Sequence, residues 1–314
     1  SHSELSFNFF VDAISFTNDG IMGVPIKVAA TYVFLFVFFG ALLAESGGGD
    51  FFYDLGSVLT GNTAGGPAKI AVISSGLFGM ISGSPTAGVA TTGSITIPMM
   101  KKLGYNKNFA GAVETVASSG GSIMPPIMGT AAFLMVEYAG VPYLEIIKAA
   151  IIPAFLYYLG CFIQVHLHSK KIGLEGFSGK DIPGIIKTLK SGFIHFLPLI
   201  LLVILLIMGY TPSYAAVAVI FACIGVSWLK KKQRLNARSI YRVVQITIPR
   251  MAPIAMACAS AGIVVGGIMI TGLGGKFMSL IFMFAGGYLL PTLIITMIVC
   301  IILGMGMPVP SAYV

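Results

Sequence analysis

Three apolar runs in this chain are each interrupted near their middle by glycine, serine and proline, and no other feature limits the fold as strongly. The first, from Gly66 to Pro98, is cut by Ile81-Ser82-Gly83-Ser84-Pro85-Thr86. Each arm holds roughly 15 residues, about 22 Å at helical rise, too short for a hydrocarbon core of about 30 Å. The spacing predicts a re-entrant helical hairpin near 66–99. The second run, 110–139, contains Ser118-Ser119-Gly120-Gly121 and Pro125-Pro126. Adjacent prolines lack amide donors, and the first drives its predecessor out of the helical region, so this helix is expected to unwind near mid-depth. The third run starts near Tyr288 and carries Gly304-Met305-Gly306-Met307-Pro308-Val309-Pro310-Ser311, a second short-armed hairpin that Val314 cuts off.

Such breaks make sense only in lipid. Apolar residues are 56% of the 314 and charged ones 10%, with mean hydropathy +0.93; a soluble chain carries about 25% charged residues. The expected fold class is all-α and polytopic, with room for roughly eight to ten passages of about 20 residues each. Uninterrupted spans are predicted at 25–44, 143–165, 193–208, 211–229 and 250–271. The start at Ser1 lacks the basic and apolar segments of a signal peptide, and the chain is expected to be a piece of a longer polypeptide.

The net charge of +8 sits mainly in short loops without interleaved aromatics, which argues against nucleic acid as a partner. Lys101, Lys102 and Lys107 form one cluster; Lys170, Lys171, Lys180, Lys187 and Lys190 a second; Lys230, Lys231, Lys232, Arg234, Arg238 and Arg242 a third, together 14 of 19 basic residues. Two spans separate successive clusters, so all three share one side, read as cytoplasmic. The first hairpin then enters from the cytoplasm and the run from Tyr288 from the opposite face.

An internal repeat accords with this. At a constant offset of 225, Gly47 aligns with Gly272, Gly49 with Gly274, Phe52 with Phe277, Gly61 with Gly286, Gly79 with Gly304 and Pro85 with Pro310. Homologous units entering from opposite faces are inverted-topology repeats, which let a carrier hold two nearly equivalent forms. The predicted organisation is a connector at 1–24, a first repeat at 25–165, loops and scaffold helices at 166–249, and a truncated second repeat at 250–314.

Ser84-Pro85-Thr86 pairs a favoured N-cap with proline at the first helical position, so the second arm is expected to begin at the hairpin tip with amides that attract anions. Ser82-Gly83 ends the first arm, where unpartnered carbonyls and hydroxyls suit a hard cation. The Ser118–Gly121 break offers similar oxygens, against the alternative that small residues there merely permit close helix packing. Glu114 has two readings: an acid that helps bind a cation or proton, or a solvated interfacial residue near Lys107. His166 and His168 are read as interfacial, and Cys161, Cys223, Cys258 and Cys300 as core packing. No nucleophile–base pair or phosphate loop is present, so no enzyme is expected.

The strings IMGVP (21–25), FGMISGSPTAGVATTGSITIPMMKKLGY (78–105), AGAVETVASSGGSIMPPIMGTAAFLMVEYAGVPY (110–143) and GIVVGGIMITGLGGKF (262–277), with LGMGMP near the end, resemble the large membrane subunit of tripartite ATP-independent periplasmic (TRAP) transporters, and within it the fused-permease branch associated with TAXI-type binding proteins. The resemblance implies an ion-transporter-superfamily, elevator-type carrier in a bacterial or archaeal inner membrane. It implies Na+ as coupling ion, with no covalent cofactor, and a small organic acid delivered by an extracytoplasmic TAXI-type protein. Carried over by motif, the ion and substrate cradle falls on Ser82, Gly83, Ser84, Thr91, Thr92, Ser118, Ser119, Gly120 and Gly121, with sodium at Ser82, Ser84, Ser118 and Gly120. Pro125 and Pro126 shape it, and Gly304, Gly306 and Pro308 begin its counterpart. The chain departs from the pattern at Gly88, where Asn is usual, at Ser122, where Gln is common, and at Val309-Pro310-Ser311, where Thr-Thr-Ala is common. The alternatives are a carrier of the same superfamily without a binding protein, and a passive channel or scaffold subunit.

Overall fold

The computed structural model describes residues 6–17, 20–174, 184–229, 234–305 and 309–313, and all regular structure among them is helical. The elements are α1 (Phe7–Phe16), α2 (Val24–Val28), a π turn, α3 (Phe34–Glu45), α4 (Gly48–Thr60), α5 (Gly66–Ser82), α6 (Pro85–Thr91), α7 (Gly93–Lys102), α8 (Lys107–Gly120) and α9 (Thr130–Ala139). After them come α10 (Tyr143–Lys171), α11 (Ile185–Gly192), α12 (Leu197–Ile207), α13 (Pro212–Ser227), α14 (Ala237–Thr271), α15 (Leu273–Ala285), α16 (Leu289–Gly304) and α17 (Val309–Tyr313). Among the described residues, three stretches are long and apolar enough to cross a membrane unaided: Val24–Glu45, Tyr143–Lys171 and Ala237–Thr271. The expected spans at 193–208 and 211–229 form helices of fewer than 18 residues, because Gly209-Tyr210-Thr211-Pro212 turns the chain between them.

The first interrupted run folds as a helix, a break and a returning helix. Gly83 adopts φ +61°, and a Cβ there would lie 2.5 Å from the Met128 carbonyl oxygen, so both conformation and space require glycine. Pro85 has no N–H for the Ile81 carbonyl, and helix α5 ends where the sequence says it should. The returning arm is divided at Thr92 into α6 and α7, a second break that the run did not announce. The second interrupted run likewise gives α8, a 3-10 turn at Gly121–Ile123, the Pro125-Pro126 bend and α9.

Helix α5 lies at the centre of the molecule. Of its 17 residues only Ile73 and Leu77 are not buried. Its tip end joins the larger apolar core through Met80 and Ile81. Its base joins a smaller core of Ala68, Ala71 and Val72 with Met100, Val113 and Val165. Small residues allow this burial: a Cβ on Gly79 would meet the Gly121 Cα at 2.8 Å, so two backbones cross in near contact.

The loop carrying the first basic cluster touches the end of α10 carrying the second. Tyr105 Oη and Ser169 Oγ are 2.6 Å apart, and Phe109 stacks on His168 with ring centroids 3.8 Å apart. Arg242, of the third cluster, pairs with Glu45 at 2.8 Å. His166 Nδ1 lies 3.0 Å from Lys69 Nζ, so both histidines are engaged in packing. Cys223 and Cys258 are buried and Cys161 is partly so; Cys300 is exposed, against the expectation of core packing, because α16 has few neighbours among the described residues.

Candidate substrate and ion site

The hairpin tip opens onto a cavity of about 610 Å³, lined by Ser82, Gly83, Ser84, Pro85 and Thr86 on one side and by Pro249, Arg250 and Pro253 of α14 on another. Ile127, Met128 and Thr130, just beyond the Pro125-Pro126 bend, form a third wall. Tyr143 Oη holds that bend by donating to the Pro126 carbonyl at 3.2 Å and to the Ile127 carbonyl. Val309, at the start of α17, also reaches the cavity, so the third interrupted run meets the tip of the first there.

The tip is rich in groups that can serve a ligand. Ser84 Oγ accepts from the Ala87 amide at 3.4 Å, longer than a good N–H···O bond, and lies 3.1 Å from Thr86 Oγ1. Ser82 Oγ is 3.4 Å from the Ser84 amide. On the facing wall, Pro249 and Pro253 cannot donate to the Gln245 and Pro249 carbonyls four residues before them, so those two helical bonds are missing.

Sequence reasoning assigned anion attraction to the start of the returning arm. With α6 only seven residues long, its dipole is small. Arg250, half-buried in the cavity wall, supplies the full positive charge instead. No motif in the sequence marks it, because it sits alone at the edge of an apolar run.

The other cradle residues do not gather at the tip. Ser118 Oγ turns to the Glu114 carboxylate at 3.3 Å, and Thr92 Oγ1 lies 2.5 Å from the same oxygen. Ser119 Oγ donates to the Thr115 carbonyl at 2.8 Å and Ser122 Oγ to the Ser119 carbonyl at 2.8 Å, both local helix bonds. Gly120 lies against the Tyr157 ring, where a Cβ would approach to 2.5 Å, and Gly121 against Gly79. Thr91 and Thr92 border a separate cavity of about 120 Å³ with Asp50 and Tyr53. Gly304 ends α16; Gly306 and Pro308 lie outside the described residues.

Gly88 has a reason of its own. A Cβ there would stand 2.8 Å from Ser118 Oγ and 3.0 Å from its Cβ, so the Asn expected from the resemblance does not fit this backbone without movement of α8. Glu114 is fully buried, and the solvated interfacial reading is thereby corrected. It lies two turns beyond Lys107 on the same face of α8, at the depth where α5, α6 and α7 cover it.

The family described as "Tripartite ATP-independent periplasmic transporter, DctM component" matches residues 5–314. Among curated proteins, the chain is 29% identical over 170 residues to an isethionate TRAP transporter permease protein of Oleidesulfovibrio alaskensis, covering 53% of this chain and 25% of that protein. It is 30% identical over 163 residues to a C4-dicarboxylate TRAP transporter large permease protein of Pseudomonas aeruginosa, covering 49% of this chain and 36% of the relative. A sialic acid TRAP transporter large permease protein of Vibrio cholerae is 24% identical over 182 residues, covering 58% of this chain and 42% of the relative. The chain thus spans between a quarter and under half of the length of these relatives.

Proposed function

Because this chain belongs to the DctM-component family of TRAP transporters, multi-pass proteins of the inner membrane, we propose that it is the core of a sodium-coupled carrier for a small organic acid. A secreted binding protein of the TAXI type delivers the acid. The observation that carries this reading is the hairpin tip facing Arg250 across one cavity. A carboxylate in that cavity is held by the guanidinium, which offers two parallel N–H donors to a planar anion. The hydroxyl of Thr86, which lines the same cavity, completes its hydrogen bonds. Sodium takes the oxygen-only set beside it: the Ser82 and Ser84 hydroxyls and the carbonyls that the Gly83–Pro85 break leaves without helical partners.

The curated relatives act on isethionate, C4-dicarboxylates and sialic acid by their names, all of them anionic organic acids. Their shared feature is the acid group, which is what Arg250 is suited to bind. Supporting the two-form mechanism are the equal lengths and the 225-residue displacement of α4 and α15.

The test is uptake into vesicles carrying the full-length protein and its binding protein, with candidate acids, across a sodium titration. Uptake should saturate in both ions, and Ser84→Ala should raise the sodium concentration needed for half-maximal rate. Folding should change little, since the cap bond it removes is already long. Flux that ignores sodium and never saturates would point to a passive pore. An unaltered sodium response in Ser84→Ala would remove the tip from the ion site.

A further inference from the structure

From Ile182 to Val314 the sequence holds ten basic residues and not one acidic residue. Two of the ten have a place already: Arg250 lines the cavity, and Arg242 pairs with Glu45 at 2.8 Å. The ion pairs among the described residues include neither Arg234 nor Arg238, and both are exposed. Lys230, Lys231 and Lys232, which precede them in the sequence, lie outside the described residues and are no part of the site.

A loop that only sets topology needs charge and no fixed shape. Here the two ends of the loop are fastened together. Trp228, just past the end of α13, donates its indole N–H to the Leu235 carbonyl at 3.1 Å, and the Leu235 amide donates to Ser227 Oγ at 3.3 Å. Leu235 is buried at this clasp. Arg234 lies over the Trp228 ring, its Cζ 5.5 Å from the ring centre. Stacking on the ring steadies the guanidinium and leaves its edge donors free. Asn236 Oδ1 accepts from the Ser239 amide at 2.9 Å and caps α14, so Arg238 stands on an ordered first turn. Two guanidinium groups are therefore offered by a rigid corner.

Beyond the corner the surface changes character along α14. Tyr241, Val244 and Ile248 follow Arg238 on one side of the helix and are 64%, 37% and 59% exposed. From Arg238 to Ile248 is about 15 Å at helical rise, half of a hydrocarbon core of about 30 Å. The order along that length is a cation, an aromatic ring with a hydroxyl, then branched aliphatic side chains. A phospholipid has the same order: phosphate, ester linkage, acyl chain. Trp228 and Tyr241 are the kind of side chain that settles at the level between headgroup and hydrocarbon. Two residues past Ile248, about 200° round the helix, Arg250 faces the cavity, so the stripe is a separate surface.

We propose that the corner between α13 and α14 binds an anionic phospholipid, its phosphate between Arg234 and Arg238 and an acyl chain along Tyr241, Val244 and Ile248. Free phosphate would meet the same guanidinium groups but would leave the apolar stripe unused. A zwitterionic lipid carries its own cation beside the phosphate and gains less from two arginines. The bound lipid supplies negative charge to a half of the chain that has none of its own. The site lies apart from the cavity, and the inference stands independently of the carrier reading.

The test is native mass spectrometry of the full-length protein, stripped of lipid in detergent and titrated with phosphatidylglycerol or phosphatidylethanolamine. Wild type should bind its first phosphatidylglycerol about 30-fold more tightly than the Arg234→Gln/Arg238→Gln variant, each arginine contributing a factor of about 5. Phosphatidylethanolamine should distinguish the two proteins far less. Equal affinity of both proteins for the first phosphatidylglycerol overturns the proposal. So does phosphatidylglycerol binding that an excess of inorganic phosphate abolishes, which would leave an anion site without a lipid. A second measurement keeps both arginines. In nanodiscs containing phosphatidylglycerol or phosphatidylethanolamine brominated near the glycerol end of the acyl chains, Trp228 emission is taken as wild type minus Trp228→Phe. It should be quenched at a lower brominated fraction with phosphatidylglycerol. Equal quenching by the two lipids overturns the proposal even where the double variant fails to fold.

Discussion

Helices α4 and α15 are twins in outline and opposites in environment. Both have 13 residues, both start behind a glycine with positive φ, and their boundaries differ by 225 residues at each end. Yet Phe52 of α4 is 1% exposed whereas its counterpart in α15, Phe277, is 59% exposed. Phe51 and Phe52 are covered by Phe196, with ring centroids 5.3 and 6.0 Å away. Among the described residues α15 meets chiefly its sequence neighbours α14 and α16. Helix boundaries follow from local sequence, since a left-handed glycine closes one helix and opens the next in both units. Burial follows from what the rest of the chain brings to the surface.

The largest effect is expected where the two units share one wall of space. Arg250 stands on α14, which leads into the second unit, and Ser84 on the tip of the first. Arg250→Gln should weaken the apparent affinity for the acid by about 2 kcal/mol or more, roughly 30-fold, with little change in the sodium response. Ser84→Ala should do the reverse. Uptake assays in which both variants moved the same parameter would merge the two halves of the site and break the division of labour proposed for them.

A smaller contrast concerns packing alone. A Cβ on Gly79 meets the Gly121 backbone, whereas one on Gly304, its counterpart, meets only the Ala312 Cβ at 3.9 Å. Gly79→Ala should therefore cost about 1–3 kcal/mol of stability through overpacking. Gly304→Ala should stay within about 0.5 kcal/mol. Thermal unfolding in detergent measures both, and equal losses would mean that α16 is as tightly enclosed as α5.

The same contrast explains what could be read from the residues in advance. The break between α5 and α6, the broken helix at 110–139 and the 225-residue displacement of α4 and α15 were legible because glycine and proline act through local backbone geometry. The break at Thr92 was not, for no glycine–proline signal marks it. The side to which each hydroxyl turns was also hidden. Ser118 belongs to the same string as Ser119 and Gly120, and only the packing of Gly88 and Gly93 against α8 aims it at Glu114 instead of the tip. Glu114 could be read as a solvated interfacial acid because sequence distance from a basic loop does not reveal depth, and no motif marks Arg250.

The last prediction tests the feature the two units share. Gly47 has φ 91° at the corner between α3 and α4, and Gly272 has φ 65° between α14 and α15. For an L-residue the left-handed region costs roughly 1–2 kcal/mol, partly offset because alanine also loses less chain entropy on folding. Nothing lies within 4 Å of a Cβ on Gly272, so packing adds no penalty there and the backbone term stands by itself. Gly47→Ala and Gly272→Ala should each lower stability by about 1 kcal/mol, despite the difference in burial of the helices they introduce. Unfolding midpoints compared across the two variants check this. A loss at Gly47 several times that at Gly272 would show that the buried corner also resists the added methyl, and a neutral Gly272→Ala would show that the exposed corner does not hold its left-handed turn.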